Sequence, residues 1–412
     1  MNIKLDSKKE KENEIKLKNN NKQYEITGWE DEELNLKPKL VRGIYSMGFE
    51  TPSSIQKKAL YPMTRNINNN RHRDIIAQAQ SGTGKTGAFT VGTLQIIDET
   101  KDDTQALIIA PTHELATQTL NVIKQLGFYL KIRSLLLVGG TSVDKNKKDL
   151  NEYKPHVVVG TPGRIHDMIR RKYLQVNKMR LLVIDEADEM LSAGFKEQMY
   201  KIFQHLDNNI QVALFSATYS IELEELSKTF MQNPTQIRVK AEELTLQGIA
   251  QYYVNLMDDV QKYETVKDIF ESLSISQAII YCNSTHRVDD LSEAMKTDNF
   301  PVEKIHGKMS EQERKENYKK FKDGACRVLI TSDLFARGID VQQVSIVINF
   351  DIPKSEHTYL HRIGRSGRWG RKGIAINFQT KQDSTKLKRF SEYYHTEIIE
   401  MPSNFTEHLK NT

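Results

Sequence analysis

Short apolar runs recur along the chain and alternate with longer amphipathic stretches. The runs are rich in β-branched residues and lack polar alternation, which is typical of strands buried on both faces of a parallel sheet. Segments such as 163–174 and 312–324 have the apolar spacing of helices that cross between strands. We therefore predict an α/β protein that binds ligands beyond the carboxyl ends of its strands. The runs are DIIAQ, ALIIAP, SLLLVGG, HVVVGTP, LLVIDEA, VALFSAT, QAIIYCNS, RVLITSD, SIVINFD and GIAINF.

The strand pattern pauses near the middle of the chain, and 412 residues are enough for two domains. We predict an N-terminal domain over 23–240, a short flexible linker over 241–248 and a C-terminal domain over 249–412. Residues 1–22 are charged and nearly free of large apolar groups, which predicts a disordered tail. The polar segment 65–74 is predicted to be a surface loop.

Composition narrows the class of protein. The net charge of +5 is compatible with a nucleic-acid partner but does not establish one. The two cysteines, Cys282 and Cys326, are too few for a zinc site or a disulfide framework, which predicts a reduced, intracellular setting. No apolar run approaches the ~20 residues that span a bilayer, and the N-terminus lacks the apolar segment of a secretory signal. We therefore expect no membrane association.

The segment AQSGTGKT, which begins at Ala79, predicts a phosphate-binding loop between a strand and a helix. Gly82 and Gly84 would let backbone N–H groups curl around phosphates at the positive end of the helix. Lys85 would supply a charge to the β- and γ-phosphates, and Thr86 a hydroxyl to Mg²⁺. The general pattern begins with Gly, where this chain has Ala79.

A predicted strand runs directly into three acids, Asp185, Glu186 and Asp188. Like charges held close raise one another's pKa values, so the cluster predicts a cation such as Mg²⁺ with its phosphates. We assign Asp185 to the metal, largely through water, because Mg²⁺ keeps much of its hydration. Glu186 is assigned to orient and deprotonate an attacking water. For Asp188 the alternative is an acidic first turn that favours the helix dipole.

The segment HRIGRSGR in the second half gathers four basic side chains, those of His361, Arg362, Arg365 and Arg368. Arg365 and Arg368 are three positions apart and would share one face of a helical turn. From there they could reach a γ-phosphate as arginine fingers. A solvated basic loop is the alternative interpretation.

Other strand-end segments carry groups that suit a phosphate backbone. Ser216 and Thr218 in LFSAT could be functional or could merely satisfy a turn. PTHELA, VGG and TPGR offer backbone N–H, hydroxyl and Arg groups in predicted loops. They contain little aromatic material for base stacking, which favours recognition of the backbone over recognition of sequence. Each motif is weak in isolation because Pro-Gly and Gly-Gly are turn formers.

Taken together, these motifs resemble the DEAD-box RNA helicases, whose name comes from the acids at 185–188. GFETPSSIQ, IIYCNS, HGKMSEQER and SDLFARGID match further motifs of that family, in the family's order, within about 25–408. DEADEMLSAGFKEQMY and NFDIPKSEHTYLHRIGRSGR are most similar to the translation initiation factor 4A subfamily. The resemblance implies two RecA-like domains, each a mainly parallel sheet flanked by helices.

The resemblance also assigns roles to matching positions, with ATP held between the domains. It implies these ATP-binding residues: Phe49, Gln56, Ser81, Gly82, Thr83, Gly84, Lys85, Thr86, Asp340, Arg365 and Arg368. It implies these RNA-binding residues: Pro111, Thr112, Glu114, Gly140, Thr161, Gly163, Arg164, Asn283, Gln312, Arg314, Ser332 and Gly338. Ser216, Thr218, Asp188 and His361 would couple the two sites. The implied catalytic residues are Glu186, Asp185, Lys85, Arg365 and Arg368, and the implied metal-binding residues are Thr86 and Asp185.

The implied function is an RNA-stimulated ATPase that binds single-stranded RNA by its backbone and locally unwinds duplex RNA, in translation initiation. ATP and Mg²⁺ would be its cofactors, and a scaffold resembling initiation factor 4G its protein partner. We expect a monomer in the cytoplasm, with the nucleus as the alternative. An ATP-gated RNA clamp of the exon-junction type would use the same site and stays open as the alternative function.

Besides Thr331 and Ser332, which reverse the family's usual Ser-Thr order but keep both hydroxyls, two positions depart from the family pattern. His113 stands where the family usually has Arg, so a contact with RNA could be weaker or sensitive to pH. Trp29 lies further upstream than the family's adenine-stacking aromatic. Packing against the first helix is the alternative for Trp29.

Overall fold

The computed structural model describes residues 24–68, 71–79, 82–192, 194–219, 221–238, 249–272, 277–333, 344–366 and 373–402. Outside residues 80–82, the chain divides into one compact unit that ends at Val239 and a second that begins at Lys240. The predicted tail and the predicted linker lie outside the described residues. The predicted domain boundaries stay predictions.

The first unit contains a seven-stranded sheet and a small two-stranded one. Its strands are β1 (Asn66–Asn68), β2 (Arg71–His72), β3 (Ile75–Gln78), β4 (Ala106–Ile109), β5 (Ser134–Leu137), β6 (Val157–Gly160), β7 (Leu181–Asp185), β8 (Gln211–Ser216) and β9 (Thr235–Arg238). Its helices are α1 (Pro38–Ser46), α2 (Ser54–Thr64), α3 (Lys85–Ile96), α4 (His113–Leu126), α5 (Val143–Tyr153), α6 (Pro162–Arg170), α7 (Ala187–Ser192), α8 (Lys196–Phe203) and α9 (Ile221–Phe230).

The second unit contains another seven-stranded sheet. Its strands are β10 (Ile249–Asn255), β11 (Ala278–Cys282), β12 (Val302–Ile305), β13 (Val328–Ser332), β14 (Ile346–Asn349), β15 (Gly373–Gln379) and β16 (Ile399–Glu400). Its helices are α10 (Asp259–Ser272), α11 (Thr285–Thr297), α12 (Glu311–Lys322), α13 (Glu356–Ile363) and α14 (Ser384–Tyr394).

Both large sheets are parallel at every described pair of strands. Their strand orders are β5-β6-β4-β7-β8-β3-β9 and β12-β13-β11-β14-β15-β10-β16. The central strands are buried along their whole length, because helices cover both faces of a parallel sheet. The predicted α/β fold is therefore confirmed. All carboxyl ends of one sheet meet at one edge, which positions the loops that follow the strands.

Several helices begin at a hydroxyl residue that satisfies a free backbone N–H group. Thr112, Ser142, Ser284 and Ser355 each accept such a hydrogen bond at the start of α4, α5, α11 and α13. Ser310 completes a capping box at the start of α12. These caps fix the first turns that face the carboxyl edges of the sheets. No helix within the described ranges is long and apolar enough to cross a membrane.

The prediction of a surface loop over 65–74 was wrong in part. β1 and β2 pair as antiparallel strands inside it. Asp74 is buried and accepts the N–H groups of Val212 and Gln232 at 2.9 and 2.6 Å. Its carboxylate satisfies backbone donors that β8 and the loop after α9 would otherwise bury without partners. The polar composition of the segment hid this internal role.

Candidate active site and nucleic-acid interface

A loop with two glycines in the left-handed backbone region connects β3 to α3. The φ angles of Gly82 and Gly84 are +83° and +99°, where residues with a side chain are strained. Gly84 directly precedes α3, so the loop turns at the positive end of the helix dipole. A phosphate at this place would meet backbone N–H groups and the start of the helix. The structure describes the predicted residues Gly82, Thr83, Gly84, Lys85 and Thr86 but not Ser81.

The acid pair lies beside this loop. Asp185 ends β7, Glu186 follows it, and both side chains are buried. The Lys85 ammonium lies 3.3 Å from Glu186 Oε2, so the loop and the acids meet. Burial, together with the neighbouring Glu186 carboxylate, raises the pKa of Asp185 to about 7. Lys85 lowers the pKa of Asp185 but does not offset burial and the neighbouring carboxylate.

The backbone of Glu186 is strained. Its φ angle is +48°, a left-handed conformation that costs a residue with a side chain on the order of 1–3 kcal/mol. Such strain persists only where the surrounding structure enforces it, and it clusters at functional sites. Here the turn begins directly after the strand, with the Glu186 N–H donating to Asp185 Oδ1 at 3.0 Å. The turn keeps the two carboxylates adjacent despite their repulsion.

The oxygen donors at this place fit Mg²⁺. The Asp185 carboxylate and the Thr86 hydroxyl are hard ligands of the kind that Mg²⁺ prefers. In the part of the chain that the structure describes, no group of three or more His, Cys, Asp or Glu side chains is arranged to hold a metal. A Mg²⁺ ion bound by few protein oxygens, water and phosphate is consistent with both observations.

A hydrogen bond joins the acid cluster to the next strand. β7 and β8 are neighbours, with Asp185 in register with Phe215. The Thr218 hydroxyl donates to Asp188 Oδ2 at 2.7 Å, and the Thr218 N–H donates to Ser216 Oγ at 3.3 Å. The side chains of Asp188, Ser216 and Thr218 are buried. A displacement of the acids would therefore be transmitted to the loop after β8.

Gln56 and Phe49 lie against the first turn of α3. Gln56 donates from Nε2 to the Gly84 carbonyl at 3.1 Å, and its Oε1 accepts from the Ser53 N–H at 2.8 Å. A Cβ atom on Gly87 would come within 2.5 Å of Gln56 Nε2 and 3.5 Å of the Phe49 ring. Glycine at this position therefore admits both side chains beside the phosphate loop.

The predicted RNA-binding residues of the first unit follow β4, β5 and β6, which are adjacent in the sheet. Arg164 donates to the hydroxyl and to the carbonyl of Thr141, each at 2.8 Å, and also to the Asn146 side chain. It thereby ties the loop after β5 to α6. The predicted residues along this edge are Pro111, Thr112, Glu114, Gly140, Thr161, Gly163 and Arg164.

The two departures from the family pattern both have neighbours in the structure. His113 opens α4, and its Nε2 atom lies 3.3 Å from the position of a Cβ atom on Gly139. It therefore contacts the Gly-Gly loop. Trp29 is buried, which favours the packing alternative over an exposed stacking surface.

The described predicted residues of the second unit lie just after β11, at the end of β13, on α12, or on and just after α13. The Asn283 amide accepts from Arg362 at 2.7 Å and donates to the Ile352 carbonyl at 2.9 Å, so both of its ends are engaged within the unit. Arg365 is 3% exposed and donates from Nε to the His361 carbonyl at 3.1 Å. Ser332 ends β13, and Gln312 and Arg314 lie on α12. Gly338, Asp340 and Arg368 lie outside the described residues.

Comparisons with known proteins decide the family. A family model described as DEAD/DEAH box helicase matches residues 53–226, and one described as helicase conserved C-terminal domain matches residues 261–370. Eukaryotic initiation factor 4A of Drosophila melanogaster is 50% identical over 376 residues, which are 91% of this chain and 92% of the relative. The chain belongs to the DEAD-box helicase family.

Other relatives agree with this membership. The ATP-dependent RNA helicase fal1 of Schizosaccharomyces pombe is 49% identical over 373 residues, 90% of this chain and 93% of the relative. The structure of S. cerevisiae Dbp5 bound to RNA and ADP BeF3 matches with a TM-score of 0.84 and 34% identity, covering 92% of this chain and 97% of that one. This DEAD-box helicase is therefore an ATP-dependent enzyme built from two RecA-like domains.

Sequence reasoning missed one polar cluster of this helicase. Asp351 follows β14 and is bound by Arg287, by Lys262 and by the backbone N–H of Asn283. The signal was present, because SIVINFD is an apolar run that ends in an acid, as LLVIDEA is. The sequence contains no comparable signal for Lys262 and Arg287, since a lysine or an arginine on a predicted helix is ordinarily solvated.

Proposed function

We propose that this DEAD-box helicase binds ATP at the phosphate loop and acids of the first unit and binds RNA along the carboxyl edges of both sheets. It would locally unwind duplex RNA as ATP is hydrolysed to ADP and phosphate. The observation that carries the proposal is the buried contact between Lys85 and Glu186 beside Asp185. A merely structural ion pair accounts neither for the strained Glu186 backbone nor for the glycine loop next to it.

The contact between Lys85 and Glu186 suggests how hydrolysis would begin. Incoming phosphates carry more charge than one carboxylate and would draw the Lys85 ammonium away from Glu186. Glu186 Oε2 would then be free to accept a proton from the attacking water. Thr86 and Asp185 would hold Mg²⁺, which when bound offsets charge on the phosphates. Gln56 would read the adenine edge.

Residues of the second unit would complete the reaction. Arg365 and Arg368 would stabilise the charge that develops on the γ-phosphate, and Asp340 would contribute to nucleotide binding. RNA would bind through its backbone, which provides affinity without sequence specificity. The Thr218–Asp188 hydrogen bond and His361 are the proposed coupling elements between the RNA and ATP sites.

We further propose translation initiation as the biological setting. Relatives named eukaryotic initiation factor 4A, from Drosophila melanogaster and Caenorhabditis elegans, are 50% and 48% identical to this helicase. A cytoplasmic location and a scaffold resembling initiation factor 4G follow from that kinship. We propose that the helicase acts as a monomer.

Steady-state ATP hydrolysis with and without single-stranded RNA tests the proposal, with Glu186→Gln as the control. We expect strong stimulation by RNA in the wild type and its loss in the variant, because glutamine cannot accept the proton. A rate of ATP hydrolysis that is the same with and without RNA would refute the proposed function. Slow hydrolysis combined with long residence on RNA in the presence of an ATP analogue would favour the clamp.

A further inference from the structure

We propose that Asp351 is a positioning residue that holds the Asn283 loop, residues 283–284, in the conformation that binds RNA. The proposal rests on the proposed function, because it concerns the RNA side of that same enzyme. Asp351 lies directly beyond β14, next to the carboxyl end of β11, the strand that leads into the Asn283 loop. Its side chain is 10% exposed.

The Asp351 carboxylate is held by two cations. Arg287 donates to it twice, from Nε to Oδ2 at 2.7 Å and from Nη2 to Oδ1 at 2.6 Å. The Lys262 ammonium lies 3.4 Å from Oδ1, and the Lys262 side chain is 5% exposed. Asp259 binds Arg287 in turn, at 2.7 and 2.9 Å. The charges of these two acids and two bases balance.

The cluster matters for RNA because Asp351 also binds the backbone of the Asn283 loop. Its Oδ2 atom accepts the backbone N–H of Asn283 at 2.9 Å, the first residue after β11. Both ends of the Asn283 amide are also engaged, with Arg362 and with the Ile352 carbonyl. Asn283 is therefore fixed through its backbone and through its side chain. Its predicted contribution to RNA binding must come from the placement of the loop.

The network extends to the loop after β13. Arg362 is 0% exposed and donates from Nε to Asp333 at 2.5 Å, while its Nη1 donates to the Asp351 carbonyl at 2.7 Å. Asp333 follows Ser332, another predicted RNA-binding residue. One connected set of charge-assisted hydrogen bonds thus joins the two loops that are predicted to meet RNA.

The buried members of this cluster, Lys262 and Asp351, are sensitive to the loss of a partner, whereas Arg287 and Asp259 are partly exposed to solvent. Removal of Lys262 would leave the buried acid with less compensating charge, and the carboxylate would shift together with the partly exposed Arg287 guanidinium toward solvent. The N–H group of Asn283 would then lose a fixed acceptor. Because the loop would sample more conformations, RNA would have to order it on binding, which weakens affinity without touching the ATP site.

Lys262→Met tests the proposal, because methionine keeps a flexible apolar stem but removes the ammonium, which lies 5.4 Å from the centre of the Phe350 ring. Lys267→Met is the matched control. Lys267 lies on the same helix, pairs with Glu264 at 2.9 Å and also sits over an aromatic ring, that of Tyr263. Its ion pairs are with Glu264 and Asp298, which are not members of the Asp351 cluster.

We expect Lys262→Met to raise about tenfold the concentration of oligouridylate that half-saturates ATPase stimulation. The turnover number at saturating RNA and the KM for ATP should stay within about twofold, and Lys267→Met should match the wild type. A cluster that serves folding alone would lower the melting temperature and leave that RNA concentration unchanged, which would overturn the proposal.

A second variant guards against misfolding. Arg287→Lys keeps the charge beside Asp351 but loses the two-point grip, so we expect the same direction with a smaller effect. If the wild type itself shows no stimulation by RNA, the proposed function fails. If the wild type is stimulated and both variants match Lys267→Met, only the inference about Asp351 fails.

Discussion

At the scale of single residues, Thr218 makes the sharpest prediction about coupling. Its hydroxyl binds Asp188 at 2.7 Å in a buried place. Thr218→Val removes that charge-assisted bond while keeping the shape of the side chain, and such a bond contributes ~1.5–3 kcal/mol. We expect duplex unwinding to fall by about tenfold or more, while RNA-stimulated ATP hydrolysis changes by less than about threefold.

Thr218→Ser is the control for this prediction, because serine keeps the hydroxyl. Unwinding of a short duplex and ATP hydrolysis should be measured on the same preparations. If the valine variant lost both activities in equal proportion, Thr218 would belong to the catalytic step rather than to coupling.

His156 predicts a dependence of stability on pH. It is fully buried, and its Nδ1 accepts the Arg133 N–H at 3.0 Å. Burial, with the charge of Arg133, lowers the pKa of His156 below its usual value. In the unfolded chain His156 therefore binds a proton near pH ~6.5, whereas in the folded chain it stays neutral to lower pH. Its contribution to the free energy of unfolding is fully present above that pH and is lost as pH falls below it.

His156→Asn checks this, because the asparagine Oδ1 atom can accept the same N–H without titrating. Urea unfolding should be compared at pH ~7.5 and ~5.5. We expect the wild type to lose more stability than the variant between the two values. An equal loss would assign the acid sensitivity to other groups, of which buried His72, whose pKa is also lowered, is the first to examine.

At the scale of elements, the contact between α2 and α3 makes a prediction about ATP binding. Gly87→Ala would place a Cβ atom 2.5 Å from Gln56 Nε2 and displace the Gln56 amide from Gly84. We expect the KM for ATP to rise by about tenfold, since Gln56, the residue proposed to read the adenine edge, would lose its position. Steady-state kinetics over a range of ATP concentrations measures this.

The same helix offers a matched control for Gly87→Ala. A Cβ atom on Gly92 would meet the sulfur of Met63 at 2.5 Å, so Gly92→Ala is just as crowded but lies away from the phosphate loop. It should change thermal stability and leave the KM for ATP unaltered. If both variants raised the KM for ATP alike, the effect would come from distortion of α3 and not from Gln56.

Elements also show how far the sequence predicts this fold. Buried central strands such as β4 and β7 are apolar along their whole length, so their sequences identify them. Among the described strands, β9, β12 and β16 are polar or short and lie at sheet edges, and β10 lies second from an edge and is only partly buried. Their pairing is set by neighbouring strands, which single-sequence patterns do not contain.

The candidate site divides in the same way. The phosphate loop and the acids can be recognised in the sequence because their chemistry requires particular residues at particular spacings, as in Gly84-Lys85 and Asp185-Glu186. The partners of Asn283 and Arg164 cannot be recognised in this way, because hydrogen bonds such as Arg164 to Thr141 join segments that are separated in sequence. Whether a basic side chain binds RNA or holds another loop is decided by tertiary structure.

At the scale of the whole molecule, the proposed function requires that ATP and RNA strengthen each other's binding. Coupling free energy between two sites is reciprocal, so the factor by which an ATP analogue tightens RNA binding must equal the factor by which RNA tightens binding of the analogue. Both factors are measurable by fluorescence titration of the full chain. Unequal factors at equilibrium would show that a third process, such as aggregation, contributes to one titration.

Arg365 tests whether the second unit takes part in hydrolysis of the nucleotide held by the first. Arg365 is 3% exposed and its Nε donates to the His361 carbonyl at 3.1 Å, so the side chain is held near the end of α13. Arg365→Ala should lower RNA-stimulated turnover by about 10³-fold, the scale of an arginine finger, while the affinity for ATP falls far less. Arg389→Ala, which removes an exposed arginine paired with Glu356 in the same unit, is the control and should leave turnover unchanged. Turnover by Arg365→Ala equal to that of the control would make Arg365 a structural residue and leave the catalytic charge to the first unit alone.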